Sequence, residues 1–408
     1  MNCRHCNTPL SHVFVDLGSA PPSNAYLRPE QLNAPEVWYP LRVMVCDQCW
    51  LVQTEDFTSA DQLFDADYAY FSGFSSSWVT HTGRYAQAMI ERLSLGMESK
   101  VVEVATNDGT VLSHFSERGI PCLGVEPTAS TAAAARERGI PVVEAFFGKE
   151  LGKFLADKEG QADLMIANNV LAHVPDINDF VSGFAQLLKP QGVATFEFPH
   201  LLRLVTENQF DTIYHEHFSY LSLTAVERIF GANGLDVFDV ETLSTHGGSL
   251  RVYAQRSDSG DWTRSPAVDG LLETEDREGM RELAFYTNFQ SRAEAVKDGL
   301  LSFLIRARRE GKTVVAYGAA AKGNTLLNFA GVRPDFIRMV ADKNPAKQGK
   351  YMPGSRIPIR SPEEVLATQP DYVVILPWNI AAEVQEQWAG ISGWGGRFVT
   401  AVPELFIK

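Results

Sequence analysis

The pattern of apolar and polar positions changes along the chain and predicts two sheets of alternating strands and helices. Between residue 99 and about residue 200, short apolar runs alternate with amphipathic helical stretches, and the runs are KVVEVATNDG, PCLGVEPT, IPVVEAFF, ADLMIANNV and GVATFEFP. Because parallel strands need a crossover connection, this succession predicts a doubly wound parallel α/β sheet. A second succession, from KTVVAYGAAAKGNTLLNF to DYVVILPW, predicts another open α/β sheet.

The remaining segments complete a predicted division into three domains. Residues 225–256 suggest a helix and two strands, which we expect to close the central sheet as an antiparallel pair, and the charged segment 268–310 is helical in pattern. The stretch YAYFSGFSSS before the central sheet is either an ordinary loop or an aromatic loop that folds over a ligand. The predicted domains are residues 1–65, 66–265 and 266–408.

Four of the five cysteines form two identical pairs in the first domain. Cys3 and Cys6, like Cys46 and Cys49, are separated by two residues, whereas Cys122 lies alone in an apolar segment. Two such pairs supply the four thiolates of a closed tetrahedral zinc site. With no open coordination position, this zinc is expected to be structural, as small domains often require. Surface cysteines without metal are the weaker interpretation.

Composition excludes several classes of partner. The chain has 408 residues, of which 45% are hydrophobic, and its net charge is −14, which argues against a nucleic-acid-binding surface. No apolar run reaches the roughly 18 residues needed to span a membrane. The N-terminus has no hydrophobic signal core, so we predict a cytoplasmic protein without membrane partners. The oligomeric state is left open, a monomer included.

The ends of the predicted strands carry the groups expected at a nucleoside site. Glu103 lies in the first strand of the central sheet, Asn107 and Asp108 form the turn after it, and Glu126 ends the second strand, where it could accept hydrogen bonds from ribose hydroxyls. The Gly-x-Gly-x-x-Gly pattern of a pyrophosphate site is absent, and an acidic turn favours a cationic or neutral nucleoside. S-adenosylmethionine is such a ligand.

Later strand ends add candidates to the same edge. Asn168 and Asn169 follow the fourth strand, and His173 lies one helical turn further on. We expect these three to flank the methyl group of the donor, with a core or capping role as the alternative for His173. Phe146 and Phe147 follow the third strand and either face the adenine or pack in the core.

Residues 210–222, FDTIYHEHFSYLS, concentrate proton-exchanging groups among apolar ones. Tyr214, His215, Glu216 and His217 place a phenol, two imidazoles and a carboxylate within four residues. Partial burial of such groups tunes a general base. A hydrogen-bonded polar cluster without chemistry is the alternative, and this segment alone does not decide between them.

The last domain contains a weaker candidate, the small-residue turn GAAAKGN. Its backbone N–H groups could approach a phosphate, and Lys322 would add a cation. The alternative is a tight turn that serves only helix–sheet packing.

Taken together, these motifs resemble the sugar C-methyltransferase family over essentially the whole chain. The resemblance is carried in order by the Cys-x-x-Cys pairs, Glu-x-x-x-Asn-Asp-Gly, Asn-x-x-x-His, Tyr-x-Glu-His, His-Gly-Gly and Gly-Ala-x-Ala-Lys. It implies a zinc-binding domain, a central S-adenosylmethionine domain and a C-terminal Rossmann-like domain. It also implies a nucleotide-linked 4-keto-deoxysugar as acceptor, methylated at C3 and held between the last two domains.

The resemblance further implies roles for individual residues. His217 would remove the proton at C3, with Tyr214 and Glu216 beside it and His173 near the sugar. The remaining acceptor-binding candidates are Tyr70, His215, His246, Lys322 and Asn324. Ala105 stands where glycine is common in the donor turn and should narrow that pocket slightly, and His215 adds a second imidazole that could share the role of base.

Other functions remain open at this stage. The same scaffold could methylate oxygen or nitrogen of a nucleotide sugar, or bind a nucleotide sugar or a partner protein without catalysis. A zinc hydrolase is disfavoured because His215 and His217 are two residues apart and do not share a helix face.

Overall fold

The computed structural model describes residues 1–57, 72–74 and 76–408. Tyr70 and four other residues of the aromatic stretch before the central sheet lie outside these residues. The described strands are β1 His12–Ala20, β2 Tyr39–Val45, β3 Val52–Thr54, β4 Val101–Val104, β5 Cys122–Val125, β6 Val142–Val143, β7 Ala162–Asn168, β8 Leu188–Pro199, β9 Ser219–Tyr220, β10 Leu235–Leu243, β11 Ser249–Arg256, β12 Val314–Tyr317, β13 Val340–Ala341, β14 Ile359–Arg360, β15 Tyr372–Ile375, β16 Arg397–Thr400 and β17 Phe406–Ile407.

The described α-helices alternate with the strands of the two larger sheets. They are α1 Ser76–Leu93, α2 Thr110–Ser116, α3 Ala129–Glu137, α4 Lys149–Glu159, α5 Ile177–Leu187, α6 Leu201–Thr206, α7 Leu223–Ala232, α8 Pro266–Arg277, α9 Leu283–Thr287, α10 Phe289–Arg309, α11 Ala321–Phe329, α12 Pro362–Leu366 and α13 Ala381–Gln387. Short 3₁₀ turns include Leu171–His173, Phe210–Thr212, Thr245–Gly247 and Trp378–Ile380. Among the described helices, none is long and apolar enough to cross a membrane.

The central sheet confirms the predicted α/β class. Its strand order is β10-β11-β8-β7-β4-β5-β6, with β4 to β8 parallel and β10 and β11 antiparallel at one edge. The apolar side chains of β4 are buried, as expected for a parallel strand covered by helices on both faces. The carboxyl ends of the parallel strands therefore meet at one edge, where the sequence places its candidate groups.

The C-terminal sheet has the order β14-β13-β12-β15-β16-β17, parallel except for β17. The helical segment predicted over residues 268–310 is divided into α8, α9 and α10. Gly279, with φ +85°, lies between α8 and α9 and supports the change of direction there. Periodicity alone did not reveal these breaks.

The first sheet links the three regions of the chain. Its order is β1-β2-β3-β9, so the two-residue strand β9, directly after the Tyr-x-Glu-His element, pairs with the N-terminal strands. Phe14 of β1 stacks on Phe289 of α10 at 4.5 Å, within a core that continues into the C-terminal sheet. Helix α8 packs instead on the central domain through the buried Val268. The domain bounds themselves stay a prediction.

The four paired cysteines converge into a zinc site. Their sulfur atoms all lie within 4.8 Å of one another, and the Cys3–Cys49 and Cys6–Cys46 Sγ distances are both 3.5 Å. A tetrahedral site with Zn–S bonds of about 2.3 Å needs S···S separations of about 3.8 Å, so the cluster fits the ion closely. The knuckles repeat one geometry, because Asn7 and Trp50 follow the second cysteine of each pair with φ of 61° and 64°.

Candidate active site

The turn after β4 carries an unusual backbone. Ala105, Asn107 and Gly109 have φ of 56°, 52° and 75°, so every second residue is left-handed. Glu126, directly after β5, accepts hydrogen bonds from the backbone N–H of Asn107 and of Thr128, both at 2.9 Å. Burial raises the pKa of this carboxyl despite these bonds. The carboxylate thus ties together the two strand ends that the sequence assigns to the donor.

The acidic groups of the turn differ in their surroundings. Burial raises the pKa of Glu103 well above its usual value, and Thr106 donates a hydrogen bond to this buried carboxyl at 2.8 Å. Asp108 is also buried and accepts from Thr110 Oγ1 and from the backbone N–H of Gly73.

The carboxyl end of β7 leaves two acceptors available for a ligand. The Oδ1 atoms of Asn168 and Asn169 are buried and accept no hydrogen bond from the described residues. An ammonium group or a hydroxyl of the donor nucleoside would satisfy them, since buried polar atoms are normally paired. The residues at this edge therefore fit S-adenosylmethionine. Phe146 is 54% exposed at the same end of the sheet, whereas Phe147 packs edge-on against Phe184.

An imidazole cluster forms next to this edge. The ring of His217 lies 4.6 Å from that of His173 and 3.9 Å from that of Tyr214, measured between centroids. His246, in the turn before β11, accepts a hydrogen bond at Nε2 from Asn169 Nδ2 at 3.2 Å. The structure thus brings together three histidines that are far apart in the sequence.

The hydrogen bond of His217 determines its tautomer. Nδ1 lies 2.8 Å from the carbonyl oxygen of Thr212, and a carbonyl can only accept, so Nδ1 carries the proton. Nε2 of the neutral ring then holds a lone pair, and no described residue donates to it in a hydrogen bond. This partly buried imidazole is in the correct form to remove a proton from a ligand.

Burial keeps the cluster uncharged. It lowers the pKa of His217 well below its usual value, and the neighbouring imidazole of His173 adds to the effect. It also lowers the pKa of His173 and of His246 to about 4. All three imidazoles are therefore neutral near pH 7, the form that a general base requires.

The neighbours of His217 in the sequence face elsewhere. His215 is buried against β2, with Nε2 3.2 Å from the carbonyl of Pro40. Both oxygens of Glu216 accept from Nδ2 of Asn24, and burial raises the pKa of this carboxyl to about 7. The described contacts of His215 do not include the imidazole cluster, so they do not support a share in the role of base.

The C-terminal domain closes the site from the other side. Thr325 of α11 donates to the carbonyl of Ile213 at 2.7 Å, which anchors the segment that carries His217. Lys322 donates to Asn379 at 2.8 Å, and its ammonium lies 4.5 Å above the ring of Trp378. Asn324 points instead to the N-terminal segment, where it donates to the carbonyl of Ser23 at 2.7 Å.

A buried ionic network underneath the site was not predicted. Glu197, in β8 and fully buried, accepts from His81 of α1 at 2.9 Å and from Arg251 of β11 at 2.7 Å. Thr245 also donates to Glu197, which fixes the turn that holds His246. In the sequence, the one indication of this network is that Glu197 is a carboxylate within the otherwise apolar strand pattern GVATFEFP.

Comparison with known proteins agrees with this architecture. Family descriptions match in three consecutive parts: a zinc binding domain over residues 3–64, a methyltransferase domain over 78–240 and a C-methyltransferase C-terminal domain over 244–403. The C-methyltransferase NovU of Streptomyces niveus is 37% identical over 402 residues, which cover 98% of this chain and 95% of that protein.

More distant relatives match only part of the chain. A ubiquinone biosynthesis O-methyltransferase of Rhodopseudomonas palustris is 24% identical over 149 residues, covering 31% of this chain and 59% of that protein. The magnesium protoporphyrin IX methyltransferase of Synechocystis has a TM-score of 0.36 and 16% identity, covering 44% of this chain and 83% of that one.

The zinc module, the central sheet with its donor edge and the family matches define an S-adenosylmethionine-dependent methyltransferase. More particularly, the near full-length similarity to NovU shows that the chain belongs to the C-methyltransferase family. The predicted donor and zinc are confirmed at this level. The roles of the individual site residues stay predictions.

Proposed function

We propose that this C-methyltransferase acts on a nucleotide-linked 4-keto-deoxysugar and methylates C3, with His217 as the general base. The observation that carries the proposal is the tautomer of His217, whose Nδ1–H is bound by Thr212 and whose Nε2 is left to accept a proton. A carbon acceptor requires such a base, because a C–H bond must be broken before the methyl group can be received.

The type of acceptor follows from the chemistry of the C–H bond. A neighbouring C4 carbonyl lets the electron pair of the broken bond delocalise onto oxygen as an enolate. S-adenosylmethionine, when bound, supplies the electrophilic methyl group. We propose that Tyr214 and His173 donate hydrogen bonds to the C4 oxygen. Their ring centroids lie 3.9 and 4.6 Å, respectively, from that of His217.

The remaining predicted residues have proposed positions around this centre. Asn107, Asp108, Glu126, Asn168 and Asn169 would hold the donor at the edge of the central sheet. The acceptor would lie between this edge and the C-terminal domain, close to His246 and Lys322. We place the reaction in the cytoplasm, where reducing conditions keep the four thiols available for zinc.

The direct test uses the purified protein with TDP-4-keto-6-deoxyglucose in deuterated water, followed by NMR. Incorporation of deuterium at C3 without donor, and of a methyl group at C3 with donor, is the expected result. The C4 carbonyl acidifies the C–H bonds at C3 and C5 alike. Deuterium and a methyl group at C5 would therefore change the proposed site of methylation to C5 but leave the role of His217 as base intact. A methyl group on oxygen or nitrogen, or donor binding without transfer to any ketosugar, would refute the proposal.

The variant His217→Asn tests the base itself. The amide Nδ2 can still donate to Thr212, but no basic nitrogen remains. We expect deuterium exchange at C3 and methyl transfer to fall by about 10²–10⁴-fold. Binding of S-adenosylmethionine, measured by calorimetry, should be retained. His12→Asn is the matched control, because the imidazole of His12 lies outside the site and pairs with the partly exposed Asp47. Full activity of His217→Asn would eliminate His217 as the base.

A further inference from the structure

We propose that Asp211 is a positioning residue that acts through Trp378 to hold the ammonium group of Lys322 where it stabilises the enolate oxygen. The inference rests on the proposed ketosugar reaction and adds two residues, Asp211 and Trp378, that the sequence motifs do not mark. It also assigns the charge of Lys322 to the reacting end of the acceptor and not to its phosphates.

The carboxylate of Asp211 occupies an unusual place. It lies in the 3₁₀ turn Phe210–Thr212, just before the segment that carries His217, and is fully buried. Trp378 donates its Nε1–H to Asp211 Oδ2 at 2.8 Å and is its one side-chain donor among the described residues. A buried carboxylate is costly unless paired, so this bond links the central domain to the turn after β15.

The ring of Trp378 is held on two sides. A methyl group added at Gly247 would lie only 2.5 Å from its Cη2 atom, so the ring packs directly on the backbone beside His246. The ammonium of Lys322 lies 4.5 Å from the ring, within the range of a cation–π contact. Asn379 accepts a hydrogen bond from the same ammonium at 2.8 Å.

The charge of Lys322 reaches the imidazole cluster. It contributes to lowering the pKa of both His217 and His246, after the larger effect of burial. Arg251, another cation close to this region, is paired with Glu197 at 2.7 Å. Burial lowers the pKa of Lys322, and the charge of Asp211 opposes this effect and favours the ammonium form. Lys322 forms no salt bridge within hydrogen-bonding distance in the described structure, so its charge faces a site whose imidazoles are neutral.

The reaction creates a negative charge that needs such a cation. The proton on C3 moves to Nε2 of His217. The electron pair of the broken C3–H bond then forms the C3=C4 double bond, and the π electrons of the carbonyl move to its oxygen. In the second step this flow reverses: C3 takes the methyl group, and the electrons of the broken C–S bond remain on the sulfur of the donor. An ammonium near the C4 oxygen stabilises the enolate between the two steps.

The experiment measures donor-free deuterium exchange into TDP-4-keto-6-deoxyglucose as a function of sugar concentration. Lys322→Met should lower kcat for exchange by about 10²–10³-fold with KM nearly unchanged, as for loss of one oxyanion-stabilising group. If Lys322 binds the phosphates instead, KM rises and kcat is retained, which would overturn the proposal. Lys312→Met is the matched control, because Lys312 precedes the opposite end of β12 and pairs with the surface Asp371.

The positioning role has its own readout. Asp211→Ala and Trp378→Phe should each lower kcat without raising KM, and Asp211→Asn, which keeps an acceptor for the indole N–H, should be milder. Added to Lys322→Met, Asp211→Ala should cause little further loss, because it acts through the missing lysine. If the losses of kcat in the two single variants multiply in the double variant, the positioning role of Asp211 is wrong. If Asp211→Ala does not fold, the same comparison is made with Trp378→Phe.

The outcome is separable from that of the proposed function. If the wild-type protein neither exchanges nor methylates the ketosugar, the proposed function fails. If the wild-type protein is active and the variants do not follow the expected pattern, only the role of the Asp211–Trp378–Lys322 chain fails.

Discussion

The substitution Gly247→Ala tests the packing that joins the two Rossmann-like parts of the site. Gly247 has φ +90°, in the region that side chains of L-residues avoid. A methyl group there would also lie 2.5 Å from Cη2 of Trp378 and 2.9 Å from Nε2 of Gln209. Backbone strain of about 1–2 kcal/mol and overpacking of about 1–3 kcal/mol add to an expected destabilisation of about 2–5 kcal/mol.

Two other glycines of the central domain separate these contributions. Gly139 has φ +80° and nothing within 4 Å of an added methyl group, so Gly139→Ala should cost only the strain of about 1–2 kcal/mol. Gly231 lies in helix α7 with open space around it, and Gly231→Ala should stabilise the protein by about 0.5–1 kcal/mol.

The assay is urea unfolding followed by circular dichroism and tryptophan fluorescence, with midpoints compared only where the slopes agree. Gly247→Ala should also reduce exchange into the ketosugar, because relief of the contact moves Trp378 away from Asp211. Destabilisation no greater than that of Gly139→Ala would refute the packing of Trp378 on Gly247.

Three further predictions concern the rest of the fold. Removal of zinc by a chelator, or Cys46→Ser, should lower the thermal midpoint and abolish the one-to-one zinc content measured by elemental analysis, because three of the four sulfurs lie in a buried cluster. Although burial tends to raise the pKa of Glu275, the hydrogen bond and charge of His200 lower it below its usual value. The ionised Glu275 therefore stabilises the fold at pH values above the unfolded pKa of about 4.3, and this contribution is lost as pH falls through the folded pKa. In urea titrations at several pH values, Glu275→Gln should reduce the dependence of the free energy of unfolding on acid. Ala105→Gly should raise the free energy of unfolding by about 0.5–1 kcal/mol in the same titrations, because φ is 56° at this position; a loss of stability would contradict that reasoning.

The sequence alone was sufficient for features whose signal is local. The spacing of Cys3, Cys6, Cys46 and Cys49 predicted a four-thiolate cluster, because each pair forms its own knuckle and only two knuckles must meet. Strand-end groups such as Glu126 and Asn168 could be assigned to one edge, because parallel strands bring their carboxyl ends together. The αβ alternation was equally visible, since buried strands are continuous apolar runs.

The tertiary structure decided which side of each motif faces the site. His215 and His217 are chemically equivalent in the sequence, but pairing of β9 with β3 and the bond to Thr212 direct only His217 to the cluster with His173. The bond between Trp378 and Asp211 joins residues 167 positions apart, so no local pattern could reveal it. Local sequence encodes residue chemistry and element type, whereas the partners of a buried polar group depend on how complete sheets and helices pack against one another.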